Sequence, residues 1–204
     1  MKALVVVDML EDFVSGTLAN PRAAAVVPAV RELLHHARRE GWVRAFANDA
    51  HEAGDPELAI WGVHAMAGTP GARVVSELAP EPGPDELVVH KRSYGAFDGT
   101  DLAARLHVHS VDELVLAGQH THLCIRHTAY GAFMRGYRIT VPRDAVCAFE
   151  GVDEEEALEY LRVAYGAHLT TVGELVGHPV AVAAGATAPL GADYESGGVL
   201  EHEP

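Results

Sequence analysis

The chain has 204 residues, of which 49% are hydrophobic and 22% are charged, and its formal net charge is −14. This length accommodates one sizeable hydrophobic core, so we expect a single folded domain. The negative charge disfavours nucleic acid or an anionic membrane as a partner. No apolar run reaches the roughly 18 residues that span a bilayer. No signal peptide follows Met1, so we expect a cytoplasmic protein.

Short apolar segments alternate along the chain with segments of helical periodicity. Strands are predicted at 4–7, 43–47, 87–89, 113–117, 139–141 and 169–172. Helices are predicted at 68–78, 101–106, 125–135 and 153–163, and an amphipathic helix with apolar positions from Val27 onward stops at Gly41. This alternation is typical of βα units. We therefore predict an α/β fold, in which a doubly wound, Rossmann-like sheet of about six mainly parallel strands carries helices on both faces.

The domain is expected to cover residues 1–176. The remaining segment, 177–204, is rich in Ala, Gly, Val and Pro and has no clear periodicity. We expect it to be a C-terminal extension that is either packed on a neighbouring subunit or disordered.

Reactive side chains follow four of the predicted strands. Asp8 follows the first strand, Asp49 and His51 follow the second, Lys91 follows the third and Cys124 follows the fourth. Taken singly, an Asp can cap a helix and a Lys is usually solvated. Ligands of open parallel sheets bind at the carboxyl ends of the strands, however. We therefore expect these side chains to meet at one edge of the sheet.

Cys124 is the candidate nucleophile because it is placed at the start of the helix predicted at 125–135. The free N–H groups and the dipole of a helix N-terminus favour a thiolate, and the same groups can hold an oxyanion. A free cysteine is more often a small buried apolar residue, so position alone does not establish catalysis. Asp8 is a candidate acceptor for the thiol proton, and Lys91 is a candidate cation beside the thiolate.

Three nearby histidines are alternative bases, because imidazole is the commonest one: His120, His122 and His127. His127 is favoured as a packing or capping side chain. The second cysteine, Cys147, does not form a disulfide framework with Cys124, which agrees with a reduced compartment. A redox-sensing thiol pair would need an accessible Cys147, whereas its position after a strand indicates burial.

The spacing of Asp49, His51 and His64 permits a metal site. Asp49 and His51 are two residues apart, so in an extended segment they point to one side, and a loop can bring His64 to them. One carboxylate with two imidazoles suits Zn²⁺, with Fe²⁺ or Mn²⁺ as alternatives. By spacing alone, a site without a metal is the more favoured interpretation.

Five motifs occur in order between positions 4 and 172. They are Val7-Asp8-Met9 with Asp12-Phe13, Asn48-Asp49-Ala50-His51, Trp61-Gly62-Val63-His64 with 68–72, 91–97 with Gly99-Thr100, and 118–124 followed by Arg126-His127-Thr128-Ala129. With these motifs the chain resembles the isochorismatase-like cysteine hydrolases, and within them the nicotinamidase-related amidases.

The resemblance implies that Asp8 is the proton acceptor, that Lys91 is its partner, and that Cys124 is the nucleophile of a thioester-type acyl-enzyme. It also implies a cis peptide bond between Gln119 and His120, which turns the amides of His120 and Cys124 into an oxyanion hole.

The resemblance further implies a divalent metal on Asp49, His51 and His64, with zinc expected and iron or manganese as alternatives. The metal would anchor the substrate and would not generate the nucleophile. Glu57 is a candidate fourth ligand, and a solvated loop carboxylate is its equally weighted alternative. Substrate-pocket positions are assigned to Phe13, Trp61 and Tyr94, with core packing as the alternative.

Two residues depart from the family pattern. A small residue is common where His120 stands, and Asp or Asn is common where His122 stands, so the rim of the pocket is expected to be unusual. This weakens the assignment of one particular substrate.

We therefore expect a metal-containing amidohydrolase that cleaves a small, nicotinamide-like carboxamide through Cys124. The alternative substrates are a lactam, a cyclic imide, a carbamoyl compound or an antibiotic amide. An isochorismatase proper cleaves an ether without a cysteine nucleophile, which disfavours that activity. A catalytically silent binding subunit is the alternative outside enzymes, although the intact Asp8, Lys91 and Cys124 speak against it. Members of such a family are commonly oligomeric, so we expect a homo-oligomer.

Overall fold

The structure is a computed structural model that describes residues 1–177, so the expected extension at 177–204 lies outside the described residues apart from Gly177. One open, parallel sheet organises the chain. Its strands are β1 (Lys2–Val7), β2 (Val43–Asp49), β3 (Glu86–Lys91), β4 (Glu113–Gln119), β5 (Arg138–Pro142), β6 (Val146–Cys147) and β7 (His168–Thr170). The order across the sheet is β3-β2-β1-β4-β5-β7, and β6 pairs with the end of β4. The predicted α/β fold is thus confirmed, with β6 as an additional short strand.

Helices cover both faces of the sheet. They are α1 (Glu11–Val14), α2 (Pro21–Arg39), α3 (Pro56–Trp61), α4 (Leu102–Val108), α5 (Arg126–Phe133), α6 (Glu154–Tyr165) and α7 (Val172–Val176). The longest helix, α2, begins where the side chain of Asn20 accepts a hydrogen bond from the N–H of Arg22. Asp153 caps α6 in the same way. Such caps satisfy backbone donors that the first helical turn leaves free.

The side chains of β1 alternate between two hydrophobic cores. Ala3, Val5 and Val7 belong to the core beneath α4, α5 and α6, whereas Leu4 and Val6 belong to the core beneath α2 and α7. A strand that is buried on both faces needs apolar residues at every position, which explains the uninterrupted apolar run. Among residues 1–177, none of the helices combines the length and the apolar character that crossing a membrane requires.

Some predicted elements differ from the structure. The helix predicted at 68–78 is two separate 3₁₀ turns, Pro70–Ala72 and Ser76–Leu78. The strand predicted at 169–172 ends two residues earlier, because Thr171 forms a capping box that starts α7. Four elements, α1, α3, α7 and β6, were not predicted because each is too short to show a periodic pattern.

A close approach between β1 and β4 positions the carboxyl ends of the two central strands. Val7 is paired with Gly118, which has a φ of +109°. A Cβ atom at Gly118 would lie 2.1 Å from the carbonyl oxygen of Val7, so only glycine permits this pairing. The strand order also reverses between β1 and β4, and a crevice opens at such a switch point. Asp8 directly follows Val7 at one side of this crevice, and Gln119 directly follows Gly118 at the other side.

Candidate active site

Lys91, the last residue of β3, is buried between two carboxylates. Its Nζ lies 2.7 Å from Oδ2 of Asp8 and 2.5 Å from Oδ1 of Asp49. The other carboxylate oxygen of Asp8 accepts a hydrogen bond of 2.8 Å from the backbone N–H of Asp49. Burial alone lowers the pKa of Lys91, but the charges of Asp49 and Asp8 outweigh it and raise this pKa well above its usual range. Lys91 is therefore a fixed positive charge.

Asp8 is suited to accept a proton. It has a left-handed backbone conformation, with a φ of +53°, and its carbonyl oxygen accepts a hydrogen bond of 3.1 Å from Nε2 of Gln119. Burial and the nearby charge of Asp49 raise the pKa of Asp8 to about 6, while Lys91 opposes the rise. A carboxylate with this pKa is a better base than a solvated one.

Cys124 lies within a π-helical turn, Thr121–Ile125, and not at the first residue of a regular helix. In this turn the N–H of Ile125 donates to the carbonyl of His120 at 3.1 Å. The thiol is buried and interacts with the carboxylate of Asp8. Burial raises the pKa of the thiol well above its usual range, although the charge of Lys91 opposes this. This direction opposes the thiolate that a helix-start position favours, because desolvation outweighs the charge of Lys91.

The turn between β4 and Cys124 contains the cis peptide bond Gln119–His120. Besides its bond to Asp8, Gln119 accepts a hydrogen bond of 3.4 Å from Nδ2 of Asn20. On the other side of the turn, the hydroxyl of Thr121 donates to Glu154 at 2.5 Å. The turn is thus held by the backbone carbonyl of Asp8 and by the side chains of Asn20 and Glu154.

A cluster of four potential metal ligands lies beside this group. Ligand atoms of Asp49, His51, Glu57 and His64 all lie within 4.8 Å of one another. Nε2 of His51 is 3.7 Å from Asp49 and 3.9 Å from Glu57. Both Nε2 of His51 and Oε1 of Glu57 are buried and have no hydrogen-bond partner among the residues that the structure describes. A divalent cation fits here, because it would satisfy these orphaned atoms and because two imidazoles with two carboxylates suit Zn²⁺.

The two histidines of this metal-ligand cluster are oriented by contacts at Nδ1. Nδ1 of His51 is 3.1 Å from the carboxylate of Asp55, and Nδ1 of His64 is 2.8 Å from the carbonyl of Gly62. Engaging Nδ1 in this way leaves Nε2 of each ring for the cluster. Glu57 is brought in by α3 and is buried, so its alternative interpretation as a solvated loop carboxylate is wrong.

A central cavity joins the cysteine to the metal-ligand cluster. It is lined by Phe13, Leu18, Asp49, Glu57, Trp61, His64, Tyr94, His120, Leu123, Cys124 and Phe149. The three expected pocket residues are among them, and the indole N–H of Trp61 donates to the hydroxyl of Tyr94 at 3.0 Å. A wider outer cavity, of about 390 Å³, shares Leu18, Trp61 and Phe149 with the central one. These three side chains therefore form the boundary between the two cavities.

Several site residues were not found from the sequence. Leu18, Leu123 and Phe149 line the central cavity, and Asp55 and Glu154 hold its surroundings in place. Leu123 lies within the 118–124 motif, but the other four lie outside the quoted motifs. Phe149, for example, follows the two-residue strand β6, and only the pairing of β6 with β4 brings it to the site.

Three other candidate residues from the sequence, His122, His127 and Cys147, do not line the central cavity. His127 stacks near Tyr94, with a centroid distance of 5.2 Å, and its Nδ1 is 2.9 Å from the carbonyl of Leu123. His122 lies outside the lining of the central cavity. Cys147 lies within β6, where burial raises the pKa of its thiol to about 12. This protonated, buried thiol does not suit redox sensing.

Comparisons with known proteins agree with this geometry. The family profile described as an Isochorismatase domain matches residues 2–174. The nicotinamidase/pyrazinamidase of Mycobacterium tuberculosis is 32% identical in an alignment of 180 positions, which covers 80% of this chain and 96% of that protein.

Two solved structures extend the comparison. An N-carbamoylsarcosine amidase from Thermoplasma acidophilum has a TM-score of 0.79 at 38% identity, covering 84% of this chain and 96% of that one. The pyrazinamidase of Pyrococcus horikoshii, solved in complex with zinc, has a TM-score of 0.76 at 30% identity, covering 83% of this chain and 98% of that one. With its motifs, its fold and a family match over 2–174, this chain belongs to the isochorismatase family.

Proposed function

We propose that this protein is a cysteine-dependent amidohydrolase that cleaves a small, nicotinamide-like carboxamide through Cys124. The reaction class, hydrolysis of non-peptide C–N bonds, is that of the amidases to which the chain is similar. The observation that carries the proposal is the buried contact between Asp8, Lys91 and the Cys124 thiol at the wall of a cavity. This contact supports the proposal because a thiol, a carboxylate and an ammonium are groups suited to act as nucleophile, base and fixed cation.

In the proposed first half-reaction, Asp8 accepts the proton of the Cys124 thiol while the sulfur attacks the amide carbon. A C–S bond forms, and the carbonyl oxygen gains a negative charge that the N–H groups of His120 and Cys124 receive. The C–N bond then breaks, and Asp8 returns the proton to the departing nitrogen. Ammonia leaves, and the acyl group remains on the sulfur as a thioester.

In the second half-reaction, Asp8 accepts a proton from water as the water oxygen attacks the thioester carbon. The C–S bond breaks, the sulfur regains the proton from Asp8, and the carboxylic acid is released. Lys91 keeps its charge throughout, so it stabilises the anionic state of Asp8 between proton transfers.

We propose that Asp49, His51, Glu57 and His64 hold a divalent metal, with zinc favoured and iron or manganese as alternatives. When bound, the metal supplies a Lewis acid that anchors a donor atom of the substrate, such as a ring nitrogen. The support is the donor set and its orphaned atoms, together with the zinc complex of the Pyrococcus horikoshii relative.

A carbamoyl compound is the second candidate substrate. It is favoured by the similarity, at 38% identity, to an N-carbamoylsarcosine amidase. The same residues serve both candidates, since each substrate presents a carbonyl carbon bonded to nitrogen. The choice between them therefore depends on the walls of the central cavity.

The test is a substrate panel assayed with reduced protein that has been supplied with zinc. Nicotinamide, pyrazinamide, N-carbamoyl amino acids, cyclic imides and lactams are compared for ammonia release or ring opening, with Cys124→Ala as the blank. We expect turnover of nicotinamide above this blank. Failure of every compound would place the silent binding subunit ahead of the amidase.

We also propose that the protein is a homo-oligomer. Exposed apolar side chains on α5 and α6 form a continuous patch, in which the rings of Tyr130, Phe133 and Tyr160 each lie within about 6 Å of the ring of Tyr165. Apolar patches of this kind commonly mark interfaces. Light scattering of the parent protein should give a multiple of the chain mass of 21.7 kDa, and Phe133→Glu should lower it. A monomeric parent would contradict the proposal.

A further inference from the structure

His120 presents a polar atom that no group within residues 1–177 uses. The side chain is buried and lines the central cavity, and its Nε2 has no hydrogen-bond partner in that range. The ring is held between two aromatic side chains, with a centroid distance of 3.9 Å to Phe149 and of 5.6 Å to Phe13. Neither ring replaces the hydrogen bonds that water would make with Nε2, so burial of this nitrogen is uncompensated.

The imidazole of His120 is neutral. Burial, assisted by the neighbouring charge of His122, lowers the pKa of His120 to about 3. In a neutral imidazole one nitrogen donates and the other accepts, so the ring can bind either kind of polar group. An uncharged ring of this kind is compatible with an uncharged substrate.

His120 and the metal-ligand cluster both lie beside the ring of Phe13. The ring of Phe13 lies 5.5 Å from that of His64 and 5.6 Å from that of His120. The cavity thus has two polar anchoring points, His120 and the metal-ligand cluster, and Phe13 and Cys124 also line it. A substrate that used both points would carry two polar groups besides the reacting amide.

We propose that His120 is a specificity-determining residue that hydrogen-bonds a second polar group of the substrate. The preferred substrates would be compact amides that carry a hydroxyl, an amino group or a further ring nitrogen in addition to the group bound at the metal-ligand cluster. This inference rests on the proposed function, because it takes the amide to enter the central cavity. A site with a buried polar atom discriminates strongly against analogues that leave the atom unpaired.

The test measures binding instead of turnover, so that it is independent of the chemistry. Zinc-loaded Cys124→Ala protein is titrated calorimetrically with nicotinamides that bear a hydroxyl, amino or methyl group at ring position 2, 5 or 6. Methyl is the control because it resembles the polar groups in size. For at least one position we expect the polar derivative to bind about tenfold more tightly than the methyl derivative.

Substitutions at His120 then assign this preference. In Cys124→Ala protein, His120→Phe and His120→Leu should each reduce the preference to about twofold or less, whereas His120→Asn should keep part of it. The matched control is His107→Phe, which replaces an exposed imidazole on α4 outside the cavity lining and should leave the preference unchanged. Thermal unfolding shows which variants are folded, and either apolar variant suffices.

The inference is overturned if no polar derivative binds better than its methyl counterpart, or if a folded apolar variant at His120 keeps the preference. Ammonia release from nicotinamide by the parent protein is measured separately. Its absence, with the binding preference intact, contradicts the proposed function alone. Turnover without the preference contradicts the role of His120 alone, and failure of all amides to bind contradicts both.

Discussion

Nζ of Lys91 lies 2.7 Å from the carboxylate of Asp8, in a place where neither side chain is exposed to solvent. Lys91 also bonds Asp49, so a single ammonium compensates two buried carboxylates. Removing one partner of a buried ion pair leaves an uncompensated charge, which costs far more than the pair itself contributes. Asp8, Asp49 and Lys91 therefore stabilise the fold in addition to the roles proposed for them in the site.

Lys91→Ala should therefore lower both stability and activity. We expect the free energy of unfolding to fall by roughly 3–5 kcal/mol, because two buried carboxylates lose their cation. Denaturant unfolding measures this loss, and the ammonia assay measures the loss of turnover. Lys2→Ala is the control, since it removes a partly exposed pair with Glu113 that should contribute less than about 1 kcal/mol. Equal effects in the two variants would contradict the compensating role of Lys91.

Cys124→Ala should abolish turnover and leave the fold intact. Loss of a covalent nucleophile lowers the rate by roughly 10³–10⁶, whereas a small side chain is well tolerated in this turn. Steady-state ammonia release and thermal unfolding measure the two effects. Cys147→Ala serves as the control because Cys147 is buried in β6 outside the cavity lining. Residual activity of Cys124→Ala above about a thousandth of the parent rate would exclude Cys124 as nucleophile.

His51→Ala should deplete the protein of metal. Elemental analysis of the parent is expected to find about one Zn, Fe or Mn per chain, because the cluster offers ligands for one ion. His51→Ala should retain less than about a tenth of that content, since even outer partners of a metal site contribute 10–100-fold to affinity. His36→Ala, on α2, is the matched histidine control. Full metal content in His51→Ala would show that the ion binds elsewhere.

Glu154→Ala should slow catalysis without removing any reacting group. Its carboxylate accepts a hydrogen bond from the hydroxyl of Thr121, in the turn between β4 and Cys124. It accepts another from the N–H of Ala148, which precedes Phe149. Misplacing the turn by about 1 Å can cost about 10²-fold in rate. We expect kcat to fall more than KM rises, with partial recovery in Glu154→Gln. The neighbouring Glu155→Ala is the control, and an equal effect there would argue against positioning by Glu154.

Glu86 should contribute stability that depends on pH. Despite a raising effect of burial, hydrogen bonds from Arg38 and Arg44 lower the pKa of this carboxyl. A pKa that is lower in the folded state gives stability that is present above the unfolded value, 4.5, and is lost as the pH falls through the folded value. Glu86→Gln should cost roughly 1.5–3 kcal/mol at pH 7.

Thermal unfolding of the parent and of Glu86→Gln between pH 7 and pH 3 measures this contribution. The difference between the two proteins should shrink as the pH falls below about 4.5. Glu150→Gln, at an exposed position, is the control. A difference that stays constant over the whole range would mean that the charge of Glu86 does not stabilise the fold.

The placement of Asp8, Lys91 and Cys124 was predictable because local patterns determine it. Apolar runs mark buried parallel strands, and parallel strands bring their carboxyl ends to one edge. The sequence made Glu57 a candidate metal ligand but did not show that its side chain is buried. The short helix α3 that buries it has no periodic signal. Phe149 was not predictable, because its place depends on the pairing of two-residue β6 with β4.

The sequence by itself determined the α/β architecture, the five motifs and the chemical groups that gather at the strand ends, because these depend on periodicity and on residue type. Only the tertiary structure decided the pKa shifts of those groups. Burial raises the pKa of the Cys124 thiol well above its usual range, raises that of Asp8 to about 6 and lowers that of His120 to about 3. Each of these shifts results from burial by segments that are distant in sequence, and desolvation is a property of the packed molecule that no local pattern contains.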